Sequence, residues 1–414
     1  MLNILQAIPP VTAPVHPLGV WKAWVRSAQA AESFLHARDA LRKILDGGDF
    51  RFFSSGRSAM VAALHAMHRL TGRSEVIIPA YNCFTVPSAV GAAGLKVVPC
   101  DLRYQDLGMD MQVLESIFSP ETLCVIPTHL FGIPSNISEV AQLARSRNVW
   151  VLEDAAQSFG ALVDGKPAGT FGDAGLFSLG RGKNVTALHG GILRVASPAL
   201  LESIDTVLRE CNVESTEFQG GGPVKKSSDL RTVMELTLLP LLSRPPFYGL
   251  LSRIPFLEVG ASRFDVNISL GFMTRFQLEL LATLTDEVEK IRRLRETLAL
   301  DWAALPWDTQ SVRIPESDPM KSGAWLRYPV IMQPGMREKL FDLGGDLLGL
   351  SASYPFAVPS IPGVVPHLLL KAPCPVAEEI AGGIVTIPTH AGVNPTIRDA
   401  IVNILRKAKA LRKS

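Results

Sequence analysis

Three short stretches of this 414-residue chain put chemically able side chains beside turns that could aim them. The first is FFSSGRSAM at 52–60, a Ser-Gly turn opening into a pattern of helical period. The first amides of a helix have no acceptor within it and the helix dipole adds positive potential, so such a turn can cradle phosphate. An ordinary helix cap has the same look. The second is VLEDAAQSFG at 151–160, an apolar run ending in Glu153 and Asp154, with Gln157 just beyond. An acid at the end of a buried strand is costly to desolvate unless a cation, a metal or a protonated base meets it. An exposed strand end or a helix cap would carry the same residues. The third is GDAGLFSLGRGKNVTALHGGILRV at 172–195, where Lys183 follows Gly180 and Gly182, and Gly190 and Gly191 precede the next apolar run. A lysine held near a phosphate site and an acid could form a Schiff base, whereas a lone loop lysine is ordinarily just solvated.

Aiming these residues at one another needs strand ends that converge. A helical pattern runs from Ser58 to about Leu70, with Met60, Ala63, Leu64 and Met67 at i, i+3, i+4 and i+7. Apolar runs of strand length follow: VIIP at 76–79, KVVPC at 96–100, LCVIP at 123–127 and VWVLED at 149–154. Between the last two lies a helical pattern, ISEVAQLARSRN at 137–148. Short apolar strands alternating with helices predict a largely parallel sheet covered on both faces, and ligands of such sheets bind outside the carboxyl ends of the strands. Residues 1–50 read as an N-terminal arm with Pro9, Pro10, Pro14 and Pro17 and a helical stretch near 28–45, in which Trp21 and Trp24 read as packing residues. Beyond 195, Gly220, Gly221 and Gly222 with Pro223 mark an expected flexible break. A long amphipathic helix is expected from Thr274 to about Leu300, and a smaller unit over 300–414 ends in a basic helix.

Composition narrows the field. Lys and Arg number 41 against 39 Asp and Glu, a net charge of +2. Binding a phosphate backbone needs a surplus of clustered cations, so nucleic acid is excluded as the main partner, and the basic tail at 406–413 reads as a solvated helix face. With 47% hydrophobic and 19% charged residues the chain has enough apolar surface to offset its entropy, which excludes disorder. The most apolar stretch, LTLLPLLSRPPFYGLLSRIPFL at 236–257, is interrupted by Arg244 and by Pro240, Pro245, Pro246 and Pro255. A spanning helix needs about 20 unbroken apolar residues, so this one is too short. The N-terminus has no basic leader, so no signal peptide is expected. Cys83, Cys100, Cys124, Cys211 and Cys374 lack CxxC spacing and read as free thiols of a reducing compartment, neither a disulfide framework nor a metal site. A cytoplasmic location is the expectation.

Together the three stretches resemble the DegT/DnrJ/StrS family of pyridoxal-phosphate-dependent sugar aminotransferases. The order matches: the Ser-Gly turn, PAYNCFTVPSAV at 79–90, the EDAAQ strand end, Ser178 followed by Lys183-Asn184, then Gly190-Gly191. CPVAEEIAGGIVTIPTHAGV at 374–393 looks like the family's C-terminal stretch. The resemblance implies the type I aminotransferase fold, an α/β architecture with a large, mixed but mostly parallel sheet domain over 51–270. Within it, 200–265 would be an apolar insertion or interface segment. A connecting helix and a small C-terminal α+β domain would fill 271–414. A homodimer with active sites at the subunit boundary is also implied. By position, Lys183 would form the Schiff base with pyridoxal 5′-phosphate and shuttle the proton, and Asp154 would pair with the protonated pyridine nitrogen. Gln157 would contact the phenolic oxygen of the ring. Ser178 and the backbone at Gly56, Arg57 and Ser58 would hold the phosphate. Cys83 or Phe84 would stack on the ring, with Tyr81 as a further candidate.

Several positions depart from the family pattern. His189 stands where a glutamate helps to place the substrate, Gly180 replaces a histidine, and LGFMT at 270–274 lacks the asparagine and arginine that serve the partner's site, although Asn267 lies nearby. His129 aligns with a histidine near the substrate, though strand-end histidines are more often structural, and His390 equally suits a packing or capping role. The implied reaction is transfer of an amino group, with glutamate the expected donor, to a keto-sugar, expected to be nucleotide-linked, in surface-polysaccharide, glycan or secondary-metabolite biosynthesis. One alternative keeps the cofactor but dehydrates a sugar or aminates a non-sugar ketone. Dehydratases of the family typically carry histidine in place of the lysine, which Lys183 opposes. Another alternative is a non-catalytic, membrane-associated polysaccharide assembly protein, with 236–257 lying in the membrane interface. A subunit interface or a cap on the core is the competing reading of that segment.

Overall fold

The computed structural model describes residues 7–12, 15–29, 32–210, 216–219, 222–225, 229–251, 263–316 and 321–412. Seven strands make the main sheet: β1 (Asp49–Phe53), β2 (Glu75–Pro79), β3 (Lys96–Cys100), β4 (Thr122–Val125), β5 (Trp150–Asp154), β6 (Ala174–Ser178) and β7 (Gly191–Val195). They lie in the order β1-β7-β6-β5-β4-β2-β3. Pairings from β3 across to β6 are parallel, and β7 runs antiparallel to both β6 and β1. The runs at 76–79, 96–100, 123–127 and 149–154 become β2 to β5, with 96–100 unchanged and the other runs shifted by at most two residues at an end.

Strand residues alternate between two apolar layers, because successive side chains point to opposite faces. Val76, Ile78 and Val97 join a cluster with Met60, Leu64 and Ile204 from the helices Gly56–Thr71 and Pro198–Glu210. Ile77, Val98 and Val125 join another with Leu114 and Val140 from the helices Met111–Ile117 and Ile137–Ser146. Burial on both faces explains why these strands read as unbroken apolar runs.

A second, antiparallel sheet orders β8 (Val312–Arg313), β9 (Arg327–Met332) and β10 (Ile384–Pro388) as β8-β9-β10. Trp302 from the helix Val288–Ala303 and Ile401 from the helix Pro395–Lys407 share its core with Tyr328, Val330 and Val385.

The helix expected over 274–300 is two helices, Arg275–Leu284 and Val288–Ala303, joined by a 3₁₀ turn at Thr285–Glu287. The break serves two cores: Leu278 and Leu281 pack with Phe52 and Phe177 of the main sheet, while Ala299 and Trp302 pack on the small one. The helical stretch expected near 28–45 is the helix Ser33–Arg42, and a further helix, Pro17–Gln29, precedes it. Of the expected flexible break, Gly222 and Pro223 begin a strand, Gly222–Lys225, paired with Thr216–Gln219, and Gly220 and Gly221 lie outside the described residues. The apolar stretch at 236–257 is described to 251, as the end of the helix Leu230–Leu242 and the short helix Phe247–Leu251. Pro240 sits inside the first of these without ending it, and the helices part at Pro245-Pro246. Cys211 and Lys413 also lie outside the described residues. Among the described residues, no helix is long and apolar enough to cross a membrane.

Candidate active site

Three turns converge at the carboxyl ends of β1, β5 and β6. After β1 the chain turns through Ser55, whose extended backbone caps the helix Gly56–Thr71 and whose hydroxyl accepts from the Ser58 amide at 3.1 Å. The amides of Gly56 and Arg57 open that helix without an acceptor inside it. Ser178, closing β6, lies against this start, since a Cβ on Gly56 would stand 3.4 Å from Ser178 Cβ and 3.6 Å from its Oγ. β7 leaves from the same point, where a Cβ on Gly191 would come within 2.3 Å of the Ser55 carbonyl oxygen. Only glycine lets the two backbones approach so closely.

Ser58 departs from its expected role. Its amide is spent on the Ser55 cap, and its hydroxyl donates to the Ser269 carbonyl at 2.8 Å and accepts from the Gly271 amide at 3.1 Å. It therefore braces the 269–271 backbone against the turn, leaving the Gly56 and Arg57 amides and the Ser178 hydroxyl as the remaining candidate anion donors.

Asp154 closes β5 and is almost fully buried. Its Oδ1 accepts from the Ala156 amide at 3.0 Å, and the Thr128 hydroxyl, itself accepting from Asn82 Nδ2 at 2.9 Å, bonds to it as well. Burial nevertheless pushes the carboxyl above its usual range, against the pull of the Ala156 amide, Lys183, His129 and Thr128. Lys183 sits in a loop tightened by its amide bond to the Gly180 carbonyl at 3.2 Å and by Gly182 at φ +72°. Burial draws its amine below the usual lysine range, while Cys83 and Asp154 oppose that shift. The sequence-predicted acid and amine thus lie near enough to act on each other's charge.

Of the ring-stacking candidates, Cys83 is the one whose thiol bears on Lys183. Phe84 is turned into the core, 6.4 Å centre to centre from Tyr354 and 6.3 Å from Phe356. Tyr81 is fully buried and donates to the Tyr354 carbonyl at 3.1 Å. Both are packing residues here. Gln157 accepts from the Phe131 amide at 3.1 Å and donates to the Tyr354 hydroxyl at 2.9 Å.

His129 is held inside the fold. It is completely buried, with Nε2 at 2.8 Å from Glu153 Oε1 and Nδ1 accepting from the Ser135 amide at 3.0 Å. Both ring nitrogens are spent, so His129 is a structural pin. His189 lies on the exposed rim, where burial of part of its ring and the nearby Arg181 and Arg231 lower its pKa against the pull of Glu235. It remains accessible. His390 is buried in the small unit, bonded to the Pro9 carbonyl at 2.8 Å, far from a substrate role.

Two residues of the small unit complete the site and escaped sequence reasoning. Tyr354 is stacked on Phe131 at 6.2 Å and bonds to Cys83, and burial raises its phenol well above the ordinary value. Arg327, at the start of β9, is drawn down by burial, with Tyr354, Tyr81 and Tyr248 facing it. Its approach is fixed by the 324–326 backbone, where the Ala324 amide bonds the Gly132 carbonyl at 2.9 Å. Among the described residues no acid pairs with Arg327. Neither residue stands in a periodic pattern or near the three turns in sequence.

Residues 51–222 match the model of the DegT/DnrJ/EryC1/StrS aminotransferase family. Over those residues the chain is similar to this family. The UDP-N-acetyl-3-dehydro-alpha-D-glucosamine 3-aminotransferase of Acidithiobacillus ferrooxidans is 34% identical over 149 residues, 36% of this chain and 40% of the relative. The chain spans about two-fifths of the length of the curated relatives it matches at such identity. The erythromycin biosynthesis sensory transduction protein EryC1 of Saccharopolyspora erythraea is 24% identical over 85% of this chain and 83% of its own. In fold, the chain is similar to PseC of Helicobacter pylori, an aminotransferase involved in the biosynthesis of pseudoaminic acid, with a TM-score of 0.75. The identity there is 16%, over 97% of this chain and 99% of that one. The fold is therefore the type I aminotransferase fold expected for a DegT/DnrJ/EryC1/StrS member. The family segment holds all three converging turns, whereas Tyr354 and Arg327 come from outside it.

Proposed function

We propose that this chain is a pyridoxal-phosphate-dependent aminotransferase that passes an amino group from glutamate to a nucleotide-linked keto-sugar. The observation that carries this reading is the pairing of a half-buried amine, Lys183, with a buried acid, Asp154, beside an anion cradle at Gly56, Arg57 and Ser178. These residues fit the cofactor. A carboxylate that burial makes costly finds its counterpart in a protonated pyridine nitrogen, a depressed amine is available as the free base, and phosphate suits the open helix start. When bound, the cofactor supplies an electron sink for negative charge on the reacting substrate carbon.

The chain's own residues do the rest. Lys183 Nζ anchors the cofactor and, once free, takes and returns the proton at the reacting carbon. Asp154, held by Ala156 and Thr128, keeps the proton on the pyridine nitrogen. Cys83 would lie against the ring, and Gln157, with one amide hydrogen on Tyr354, keeps the other, which would serve the ring's phenolic oxygen. Arg327 offers an unpaired charge to the donor's carboxylate. The UDP-sugar 3-aminotransferase among the relatives supports the substrate class. We also infer a homodimer, as in the family resemblance, and a cytoplasmic location, supported by the free thiols Cys83, Cys100, Cys124 and Cys374.

The test is the visible absorbance of the protein with pyridoxal phosphate, together with product analysis on a keto-sugar panel with glutamate. Wild type should show a cofactor band that Lys183→Ala loses, along with amino transfer. Identical spectra for the two would remove Lys183 from the chemistry, and a deoxygenated product in place of an amino sugar would move the chain to the dehydratases.

A further inference from the structure

The insertion helix Leu230–Leu242 has two apolar faces. Val233 and Leu236 are completely buried in the core shared with Val20 and Ala23 of the helix Pro17–Gln29. Leu230, Met234, Leu238, Leu241 and Leu242 form the other stripe, at helical spacing, and are between 36% and 53% exposed. Phe247 and Leu250 of the next short helix extend it, and the helix Pro17–Gln29 adds Leu18, Trp21 and Val25. Leu18 is 77% exposed and Leu250 59%. The two long helices pack on one another, so their stripes belong to one surface. Soluble chains rarely leave so many large apolar side chains together without a partner.

Charge points to what covers this face. The three helices and their connection through 243–246 carry Lys22, Arg26, Arg231 and Arg244, all exposed. Their one acid, Glu235, is already paired with Arg231 at 2.8 Å and Arg181 at 2.6 Å. Asp229, just before the helix, has a partner of its own. A two-fold interface would set this basic rim against itself, because both subunits present the same patch. A surface bearing anionic headgroups meets it with the opposite sign. Short proline-separated helices with an apolar face, Trp at its edge and Lys and Arg around it are the makings of an interfacial anchor.

We propose that this composite face docks the protein on an anionic lipid bilayer, its apolar stripes in the headgroup region and its basic rim on the headgroups. The same helix holds Arg181 of the Lys183 loop through Glu235, so docking places the rim of the candidate site at the membrane surface. The inference does not depend on the proposed reaction, because it is read without turnover.

The test is flotation of the full chain with phosphatidylcholine vesicles, with and without phosphatidylglycerol. Wild type should float with the anionic vesicles and stay behind with the neutral ones, and high salt should release it. Met234→Glu with Leu238→Glu should weaken the association by at least about tenfold. Lys22→Glu with Arg26→Glu, at exposed positions that leave the core alone, should do the same. Circular dichroism and gel filtration check that each variant is folded and keeps its oligomeric state. Failure of wild type to float, equal flotation with neutral vesicles, or unchanged binding by both variants overturns the proposal. So does dissociation of an oligomer by Leu238→Glu, which would make the face a subunit interface.

Discussion

Glu153 and Asp154 are consecutive acids on one strand with opposite fates. Alternation along β5 sends Glu153 to the side of the 169–172 loop, whose amides at Gly169, Phe171 and Gly172 donate to its oxygens at 2.6, 2.8 and 3.2 Å. His129 completes a fully satisfied carboxylate. Asp154 faces the site with fewer donors, and its carboxyl is raised mainly by burial. A group raised in the folded state costs stability once the pH exceeds its unfolded value, so at neutral pH ionised Asp154 weighs against the cofactor-free fold. Asp154→Asn keeps the acceptor for Ala156 and removes the charge. It should leave the urea midpoint of the cofactor-free protein unchanged or higher, while affinity for pyridoxal phosphate, titrated by absorbance, falls at least about tenfold. A destabilised variant with unaltered cofactor affinity would show that Asp154 is structural. The local pattern displayed both acids alike, and only the family resemblance singled out Asp154, because the difference lies in a loop beginning 16 residues after Glu153 and in Thr128.

At the scale of elements, the helix Arg275–Leu284 is tied to the lysine loop by its own cap. Thr274 Oγ1 accepts from the Gln277 amide at 3.3 Å, and Gln277 Oε1 returns the bond to the Thr274 amide at 3.1 Å. Gln277 Nε2 then donates to the Ala187 and His189 carbonyls at 3.3 and 3.0 Å, fixing the strand-ward end of the Lys183 loop. Two substitutions separate these roles. Thr274→Ala removes only the cap and should cost about 1 kcal/mol in urea unfolding. Gln277→Glu keeps the acceptor but sets a carboxylate against two carbonyls, and should cost more, about 1–3 kcal/mol. Equal costs would mean that the bonds to Ala187 and His189 carry no weight. Helical period made this region legible as helix, yet concealed its break at Thr285–Glu287, because each half is amphipathic toward a different core. Tyr354 and Arg327 stayed hidden for a related reason: they reach the site through tertiary packing of the small unit, which no local pattern records.

Across the whole molecule, the N-terminal arm is a strap joining the two cores. Ile8 is buried in the core of the small sheet and its amide bonds the Leu347 carbonyl at 3.0 Å. Arg295 Nη2 donates to the Thr12 carbonyl at 2.7 Å, and farther along Val20 and Phe34 enter the core beside the main sheet. His390 fastens the strap: its Nε2 donates to the Pro9 carbonyl at 2.8 Å, and its Nδ1 accepts from the Gly392 amide at 3.1 Å. The second bond needs the neutral ring, because only an unprotonated Nδ1 can accept. Burial lowers its pKa to about 4, against the pull of the Pro9 carbonyl and helped by Arg295 and Arg327. The unfolded chain takes up this proton near the ordinary histidine value of 6.5 while the folded chain refuses it until about 4. The stability tied to His390 is therefore whole above 6.5 and is lost as the pH falls toward 4, roughly 3 kcal/mol at most. His390→Gln offers the same donor and acceptor without a titrating proton. Urea midpoints measured from neutral pH to about 4 should fall less steeply for this variant than for wild type. Shared carboxylates cancel in that comparison. Parallel curves would mean that the strap is held without His390, and that acid loosening of the molecule begins elsewhere.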